Sequence, residues 1–249
     1  MSSSELRAKQ VVVTGGSRGI GAACVEKFAH AGADVLFFYH SDKGRAEKLI
    51  AKLAHLSVKV EGVRADLSSS GGIKVFSEAV LDIERVHILV NNAGDLIDRI
   101  RLSDIRREDV VRSLDLNVIS VVEVTAALLP KMRAGASVVN VTSLAVNTGG
   151  GPGSSLYCGS KAAILGMTRA WAKELGPQGI RVNAVEPGLI DTDFHVRHET
   201  DLKAAVERIP IPRAGEASEV ADTIHFLASP ASGYTTGASF QVNGGADFS

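Results

Sequence analysis

Seven short runs of β-branched and apolar residues recur along the chain: QVVVTG, DVLFFY, VKVEGV, HILVNNAG, SVVNVTS, RVNAVEPG and SFQVNGG. Most are apolar almost without interruption, as strands buried on both faces should be. Stretches with helical periodicity separate them. AACVEKFAHAG, for example, brings Ala22, Val25, Phe28 and Ala29 onto one face. This alternation predicts an α/β chain, a parallel sheet wrapped by helices on both sides. No linker, repeat or low-complexity stretch divides the 249 residues, so one domain over 1–249 is expected. In such sheets ligands bind beyond the carboxyl ends of the strands, and the informative residues should follow the strands.

The first strand runs into a helix through VVVTGGSRGIGAA, with Gly15, Gly16, Gly19 and Gly21. Glycines there let the backbone turn tightly and approach a pyrophosphate seated on the helix N-terminus. The same letters contain G-x-S-x-G, the nucleophile elbow of hydrolases, with Ser17 as nucleophile. That reading needs earlier strands to build an oxyanion hole, and about ten residues precede this strand. A dinucleotide is the better expectation. An acid at the tip of the second strand would then bind the adenosine ribose and favour NAD. This chain has Tyr39, His40 and Ser41 there, with Asp42 just beyond, and the cations Arg18, Lys43 and Arg45 nearby. Hydroxyls and cations suit a 2′-phosphate, so NADP(H) is the cofactor expected, unless those cations are merely solvated.

Composition narrows the field. Apolar residues make up 45% and net charge is −1, which gives no polyanion or nucleic-acid signature. No uninterrupted apolar run reaches the ~18 residues of a membrane span, and the opening MSSSELRAKQ lacks an apolar signal core. Cys24 and Cys158 are too few for a disulfide framework or structural zinc. A cytoplasmic location, without membrane or nucleic-acid partners, is the expectation.

Two of the three tyrosines have a lysine four residues on, in YHSDK (Tyr39) and YCGSK (Tyr157 and Lys161). The spacing alone does not separate them. Position does: Tyr39 ends the second strand at the adenosine side, whereas Tyr157 follows Ser143 and opens a helix. With TGGSRGIG, ADL at 65–67, NNAG at 91–94, Asn117 in LNVIS, Ser143, YCGSK and NAVEPGLIDT at 183–192 in this order, the chain resembles the short-chain dehydrogenase/reductase family. Its overall look is close to the 3-oxoacyl-carrier-protein reductases. The resemblance covers the whole chain and implies a Rossmann-type sheet of about seven parallel strands.

The resemblance also assigns roles. Thr14, Gly15, Ser17, Arg18, Gly19, Ile20 and Gly21 would form the phosphate loop. Asp66 and Leu67 would meet the adenine. Asn91, Ala93 and Gly94 would line the cleft and stiffen the sheet. Pro187, Gly188, Ile190 and Thr192 would hold the nicotinamide. Ser143, Tyr157, Lys161 and Asn117 form the implied catalytic tetrad, with Asn117 anchoring a water that relays protons to Lys161. A free tyrosine has a pKa near 10, and a neighbouring ammonium with the oxidised nicotinamide is expected to lower it. The reaction implied is hydride transfer between nicotinamide and a carbonyl or secondary alcohol, with Tyr157 as acid/base. A non-catalytic NADP sensor or scaffold on the same fold is the alternative, which an intact tetrad argues against.

Asp95, Leu144, Phe194 and His195 are expected to touch substrate, the last two from a lid around 189–215. Asp191, Asp193, His195, His198, Glu199 and Asp201 cluster in that segment but read as a solvated lid, and no metal is expected. Glu186 stands where small residues or arginine are familiar, and reads as a local hydrogen-bonding group. LGPQG offers Gln178 where such reductases often carry arginine, which puts carrier-protein docking in doubt despite Lys131 and Arg133. Two helices, DVVRSLDLNVISVVEVTAALL and LYCGSKAAILGMTRAWAKEL, are apolar or small nearly all round. They predict self-association across a two-fold axis, which the resemblance extends to a tetramer.

Overall fold

Each of the seven apolar runs forms a strand, and together they make one fully parallel sheet. The computed structural model describes residues 6–198, 202–207 and 209–248. The strands are β1 Gln10–Thr14, β2 Asp34–Tyr39, β3 Val60–Arg64, β4 Val86–Asn91, β5 Met132–Val141, β6 Arg181–Pro187 and β7 Ser239–Val242. Among the described residues ten α-helices join them: α1 Gly19–His30, α2 Lys43–Leu53, α3 Ser70–Ala79, α4 Arg107–Leu114, α5 Ser120–Leu128, α6 Ala145–Thr148, α7 Ser155–Leu175, α8 Asp193–Arg197, α9 Leu202–Val206 and α10 Ala217–Ala228. The order across the sheet is β3-β2-β1-β4-β5-β6-β7.

Alternation along the strands sorts side chains into two cores. Val11, Val13, Val35 and Phe37 face Val25 and Phe28 of α1 and Ile224 and Leu227 of α10. Val12, Leu36, Phe38, Leu89 and Val138 face Phe76 of α3, Val124 and Leu128 of α5 and Ala172 of α7. Burial on both faces is why these strands are apolar throughout. The edge strand β3 is the exception, with Glu61 and Arg64 exposed.

Helices α4 and α5 are joined by a π turn, Asp115–Ile119, which holds Asn117. The rod Arg107–Lys131 is 25 residues long, with a mean hydropathy of 1.4 in its most apolar stretch. By length and composition it is long and apolar enough to cross a membrane, although it holds no uninterrupted apolar run of that length. Polar residues within the rod break the run, and its inner face is buried: Val121 and Val124 lie in the cores, with Asn117, Ser120 and Thr125 beside them.

Candidate active site

The chain reverses its direction of growth across the sheet between β1 and β4, and a cleft of about 630 Å3 opens at their carboxyl ends. Its floor is the turn from β1 into α1. Gly15 has a left-handed φ of 67°. A Cβ on Gly21 would lie 2.1 Å from the Gly15 carbonyl oxygen, so the turn cannot close over a side chain there. Helix α1 starts with no side-chain cap and no acid in its first turn. Its free N–H groups and positive dipole end can receive an anion. Ser17, Arg18, Gly19 and Ile20 line the cleft; Thr14 and Gly21, expected among the cofactor residues, do not. The Thr14 hydroxyl accepts from the N–H groups of Asn92 and Ala93, each at 3.0 Å. Gly21 is the packing partner of the turn. Asn92, which was not foreseen, does line the cleft and donates to the Thr14 and Gly15 carbonyls at 3.0 and 3.1 Å. The second asparagine of NNAG was the signal for it.

Tyr39, His40, Ser41, Asp66 and Leu67 line the far end of the cleft. His40 stands 3.8 Å from Asp66. Only one of the three expected cations reaches this cleft. Arg18 lines it, whereas Lys43 pairs with Glu47 at 3.5 Å and Arg45 pairs with Asp42 at 3.0 Å and with Asp193. Asp42 also lines the cleft, but its charge is engaged by Arg45, whose N–H it caps at 2.9 Å.

Asn91 does not line the cleft; it lies in a buried ladder instead. Its amide donates to Thr125 at 3.0 Å and Asn140 at 2.9 Å, Asn140 to Thr168 at 2.9 Å, and Thr168 to the Ile164 carbonyl at 2.8 Å. The ladder ties β4 and β5 to α5 and α7. Asn117 is fully buried and does not line the cleft either. Its Oδ1 accepts from the Asp95 N–H at 3.0 Å, and its Nδ2 donates to the Asp95 carbonyl at 2.9 Å and the Ser113 carbonyl at 3.1 Å. The side-chain amide is therefore committed to backbone groups of Asp95 and Ser113. A Cβ on Gly94 would come within 2.8 Å of both Asn117 Oδ1 and Lys161 Nζ. Asn117 thus clamps the loop against which Lys161 packs.

Ser143 follows β5, and its hydroxyl lies near that of Tyr157, in the first turns of α7, close enough to favour the phenolate. Ser143, Leu144, Tyr157 and Lys161 all line the cleft. Lys161 Nζ lies 5.8 Å from the Tyr157 ring centroid and donates to the Val141 carbonyl at 2.9 Å. Burial pushes the Tyr157 phenol up to about 12, against the lowering effect of the Ser143 hydrogen bond. Burial likewise brings Lys161 down to about 8, with Asp95 opposing. In the protein alone, loss of solvent outweighs the Ser143 interaction, and the phenol stays protonated at neutral pH.

The segment after β6 leaves and returns through one pinch. Ile190 bridges Gly215, the Asp191 N–H donates to the Gly215 carbonyl at 2.8 Å, and the Gly215 N–H donates to the Leu189 carbonyl at 2.9 Å. Phe194 of α8 lies over Tyr157, with ring centroids 5.9 Å apart. Phe194, His195, Pro187, Gly188, Ile190 and Thr192 line the cleft, as do Ala93, Gly94 and Asp95. The Asp95 carboxylate, expected to meet substrate, accepts from Arg197 and from His198 at 2.7 Å. Burial pushes its pKa up, but those two hydrogen bonds outweigh burial and hold it below the usual range. Glu199 and Asp201 lie outside the described residues, and no metal-binding group occurs among the described ones.

A family model described as enoyl-(acyl carrier protein) reductase matches residues 15–247. The chain belongs to the short-chain dehydrogenase/reductase family. The 3-oxoacyl-[acyl-carrier-protein] reductase FabG of Thermotoga maritima is 38% identical over 244 residues, 96% of this chain and 98% of that protein. Its counterpart from Staphylococcus epidermidis is 34% identical over 241 residues, 95% and 98% of the two chains. A metagenomic blue fluorescent protein solved in complex with NADPH superposes with a TM-score of 0.90, at 35% identity over 97% of this chain and 98% of its own. A short-chain dehydrogenase from Burkholderia cenocepacia in complex with NADP gives 0.89, at 33% identity over 97% and 99%.

Within this family frame, Glu186 is a residue whose place the sequence left open. It is 3% exposed, accepts from Asn147 at 2.8 Å and from Ser239, and does not line the cleft. Its role is local hydrogen bonding that straps α6 to β6 and β7.

Proposed function

We propose that this short-chain dehydrogenase/reductase is an NADP(H)-dependent carbonyl reductase with Tyr157 as proton donor. The observation that carries the reading is the hydroxyl pair of Ser143 and Tyr157 in the cleft, with Lys161 Nζ 5.8 Å from the phenol ring. Two neighbouring hydroxyls lining one cleft suit a single carbonyl oxygen. NADPH, when bound, supplies the hydride. The glycine turn and the uncapped start of α1 fit its pyrophosphate, and Arg18 with Ser41 and His40 fits a 2′-phosphate. Lys161 fits its ribose hydroxyls. Tyr157, protonated because it is buried, transfers its proton to the oxygen as negative charge develops there, and Ser143 donates a hydrogen bond to that oxygen. Thr192, Ile190 and Pro187 would hold the nicotinamide. The segment 189–215 acts as substrate lid, and the chain 1–249 acts as one catalytic unit.

The names of the relatives support a 3-oxoacyl substrate class, but docking of an acyl carrier protein has less support here. Lys131 donates to the Leu81 and Ile83 carbonyls, each at 2.8 Å, and Arg133 to the Pro130 and Met132 carbonyls at 2.6 and 2.9 Å. These cations are spent locally rather than offered to an acidic partner.

The test is NADPH oxidation against ketones, 3-oxoacyl thioesters and enoyl thioesters, in wild type and Tyr157→Phe. At least one class of carbonyl compound should turn over, and Tyr157→Phe should lower kcat by ~10²–10⁴-fold with NADPH affinity held within a few-fold. Tyr39→Phe should leave kcat nearly unchanged. Tight NADPH binding without turnover of any carbonyl would instead favour a sensor.

A further inference from the structure

We infer that the substrate carries an anionic oxygen group, a carboxylate or a phosphate, near its reacting carbonyl, and that Arg99 and His195 receive it. The inference rests on the carbonyl-reductase reading and names the substrate class of that same site. It starts from the charges at the cleft mouth. Asp95 is taken by Arg197 and His198, Asp98 by Arg112 at 2.5 Å, and Asp193 by Arg45. Arg99 lines the cleft and has no carboxylate partner among the described residues. Among the described residues its guanidinium donates only to the Pro152 carbonyl, at a long 3.3 Å. Five N–H donors in a planar fork match a carboxylate or phosphate in two-point contact.

The backbone at Arg99 is held in place, and its exposed side chain extends from it. The Ile100 N–H donates to the Gly153 carbonyl at 3.0 Å, and a Cβ on Gly153 would come 3.0 Å from the same nitrogen. A Cβ on Gly151 would stand 3.0 Å from Arg99 Nη1. The backbone of Arg99 is thereby docked on the glycine-rich loop between Ser143 and Tyr157, the two hydroxyls that meet the carbonyl oxygen. The guanidinium lies at the substrate end of the cleft, apart from the His40 and Ser41 end.

His195 is the independent observation. It is 8% exposed, it lines the cleft, and its Nδ1 is buried without a hydrogen-bond partner. Buried polar atoms are nearly always satisfied, so this orphan lacks a partner that a ligand atom can supply once the ring turns toward the cleft it lines. Its ring stands edge-on to Phe194 at 5.5 Å, and Phe194 is the ring that covers Tyr157. Burial and the nearby His198 hold its pKa below 6.5, with Arg99 adding to them and Asp191 opposing. A neutral imidazole with its proton on Nδ1 donates to an oxygen without adding a charge. A ketone with only alkyl groups, or an acyl thioester that is neutral for several bonds around its 3-oxo carbon, would leave both Arg99 and His195 unmatched. Apolar walls from Leu96, Leu144 and Ile209 with two placed polar groups are what orients a small ligand.

The experiment measures kcat/KM with NADPH for two matched pairs: a 3-oxo acid with its methyl ester, and a phosphorylated hydroxyketone with its dephosphorylated form. Wild type should favour the anionic member of one pair by about tenfold or more, as a charge-assisted contact supports, and added salt should erode that preference. Which pair responds tells carboxylate from phosphate. Arg99→Met should bring the anion-to-neutral ratio close to unity, whereas a merely structural role would lower both members together and leave the ratio intact. NADPH binding by the variant serves as the check that it is folded. A wild-type ratio near unity in both pairs, or a ratio that survives Arg99→Met, overturns the inference and leaves the carbonyl-reductase reading standing. Failure to turn over any carbonyl, charged or neutral, sinks both together.

Discussion

Lys161 meets two opposed demands. It is 3% exposed, and burial brings its pKa from the ordinary 10.5 to about 8. The folded-state pKa is below the unfolded one, so between about pH 8 and 10.5 the unfolded chain binds a proton that the folded chain does not. Stability therefore rises with pH through that window, and at pH 7 the buried charge costs the fold roughly 3 kcal/mol. Lys161→Met removes the charge and keeps the length, but leaves the Val141 carbonyl unpaired at a cost of ~1 kcal/mol. We predict that the cofactor-free variant is more stable than wild type by about 1–2 kcal/mol at pH 7, that the gain shrinks toward pH 10, and that turnover collapses. Urea denaturation at the two pH values checks it; a variant less stable at pH 7 contradicts the argument. The sequence made part of this visible. A lysine one helical turn from a tyrosine shares its face, and the order of motifs chose Tyr157 over Tyr39. Depth was not visible: no spacing says that protein surrounds both groups, and that surrounding moves both pKa values.

At the scale of elements, strands were legible because a parallel sheet covered on both faces demands unbroken apolar runs. The π turn at Asn117 was not, since one extra residue in a helix leaves the periodicity of LDLNVISVV almost intact. Nor were the pairs joining Asp95 to Arg197 and His198, which depend on where a distant loop returns. Glu186 shows the same limit, an odd letter in a motif whose partners lie on α6 and β7. Those partners carry a prediction. Helix α6 directly follows Ser143, and the Leu144 N–H donates to the Pro187 carbonyl at 2.9 Å, so α6 sets where the Ser143 hydroxyl points. Glu186→Ala removes the acceptor from Asn147 and Ser239, both away from the cleft. Orphaned buried groups cost about 1–3 kcal/mol, and each kcal/mol shifts Tm by roughly 2–4 °C in a chain of this size. Tm should fall by several degrees and kcat with it, while NADPH affinity stays within a few-fold because the phosphate loop is untouched. Calorimetry with single-turnover kinetics separates these effects, and an unchanged kcat would remove α6 from the account of Ser143.

The whole molecule leaves apolar surface that a lone copy does not need. On the outer side of the Arg107–Lys131 rod, Val111, Leu114 and Ile119 are 45%, 38% and 45% exposed. On α7, Gly159, Ala162 and Gly166 are exposed, and a Cβ on either glycine would meet nothing within 4 Å. A helix covered only by its sheet keeps a broad polar outer face, and these two set exposed apolar or small residues among exposed charges such as Arg112 and Arg169. A self-complementary two-fold contact buries the same patch on both copies, and small residues on α7 let the backbones approach closely. Near the sheet edge at β7, Ile211, Tyr234 and Phe248 are 55%, 106% and 85% exposed, which suits a second contact and a tetramer. The cleft opens at the carboxyl ends of the strands, and none of Val111, Ile119, Tyr234 or Phe248 lines it, so assembly leaves its mouth free. Wild type should therefore run as a multimer at micromolar concentration in light scattering. The double substitution Val111→Glu with Ile119→Glu places like charges on the two-fold seam and should split the assembly by one dimerisation step. Each fold should survive, since both side chains already face outward and surface changes usually cost within about 0.5 kcal/mol. A monomeric wild type, or a double variant that keeps its full mass, would show that the two helices are not the seam.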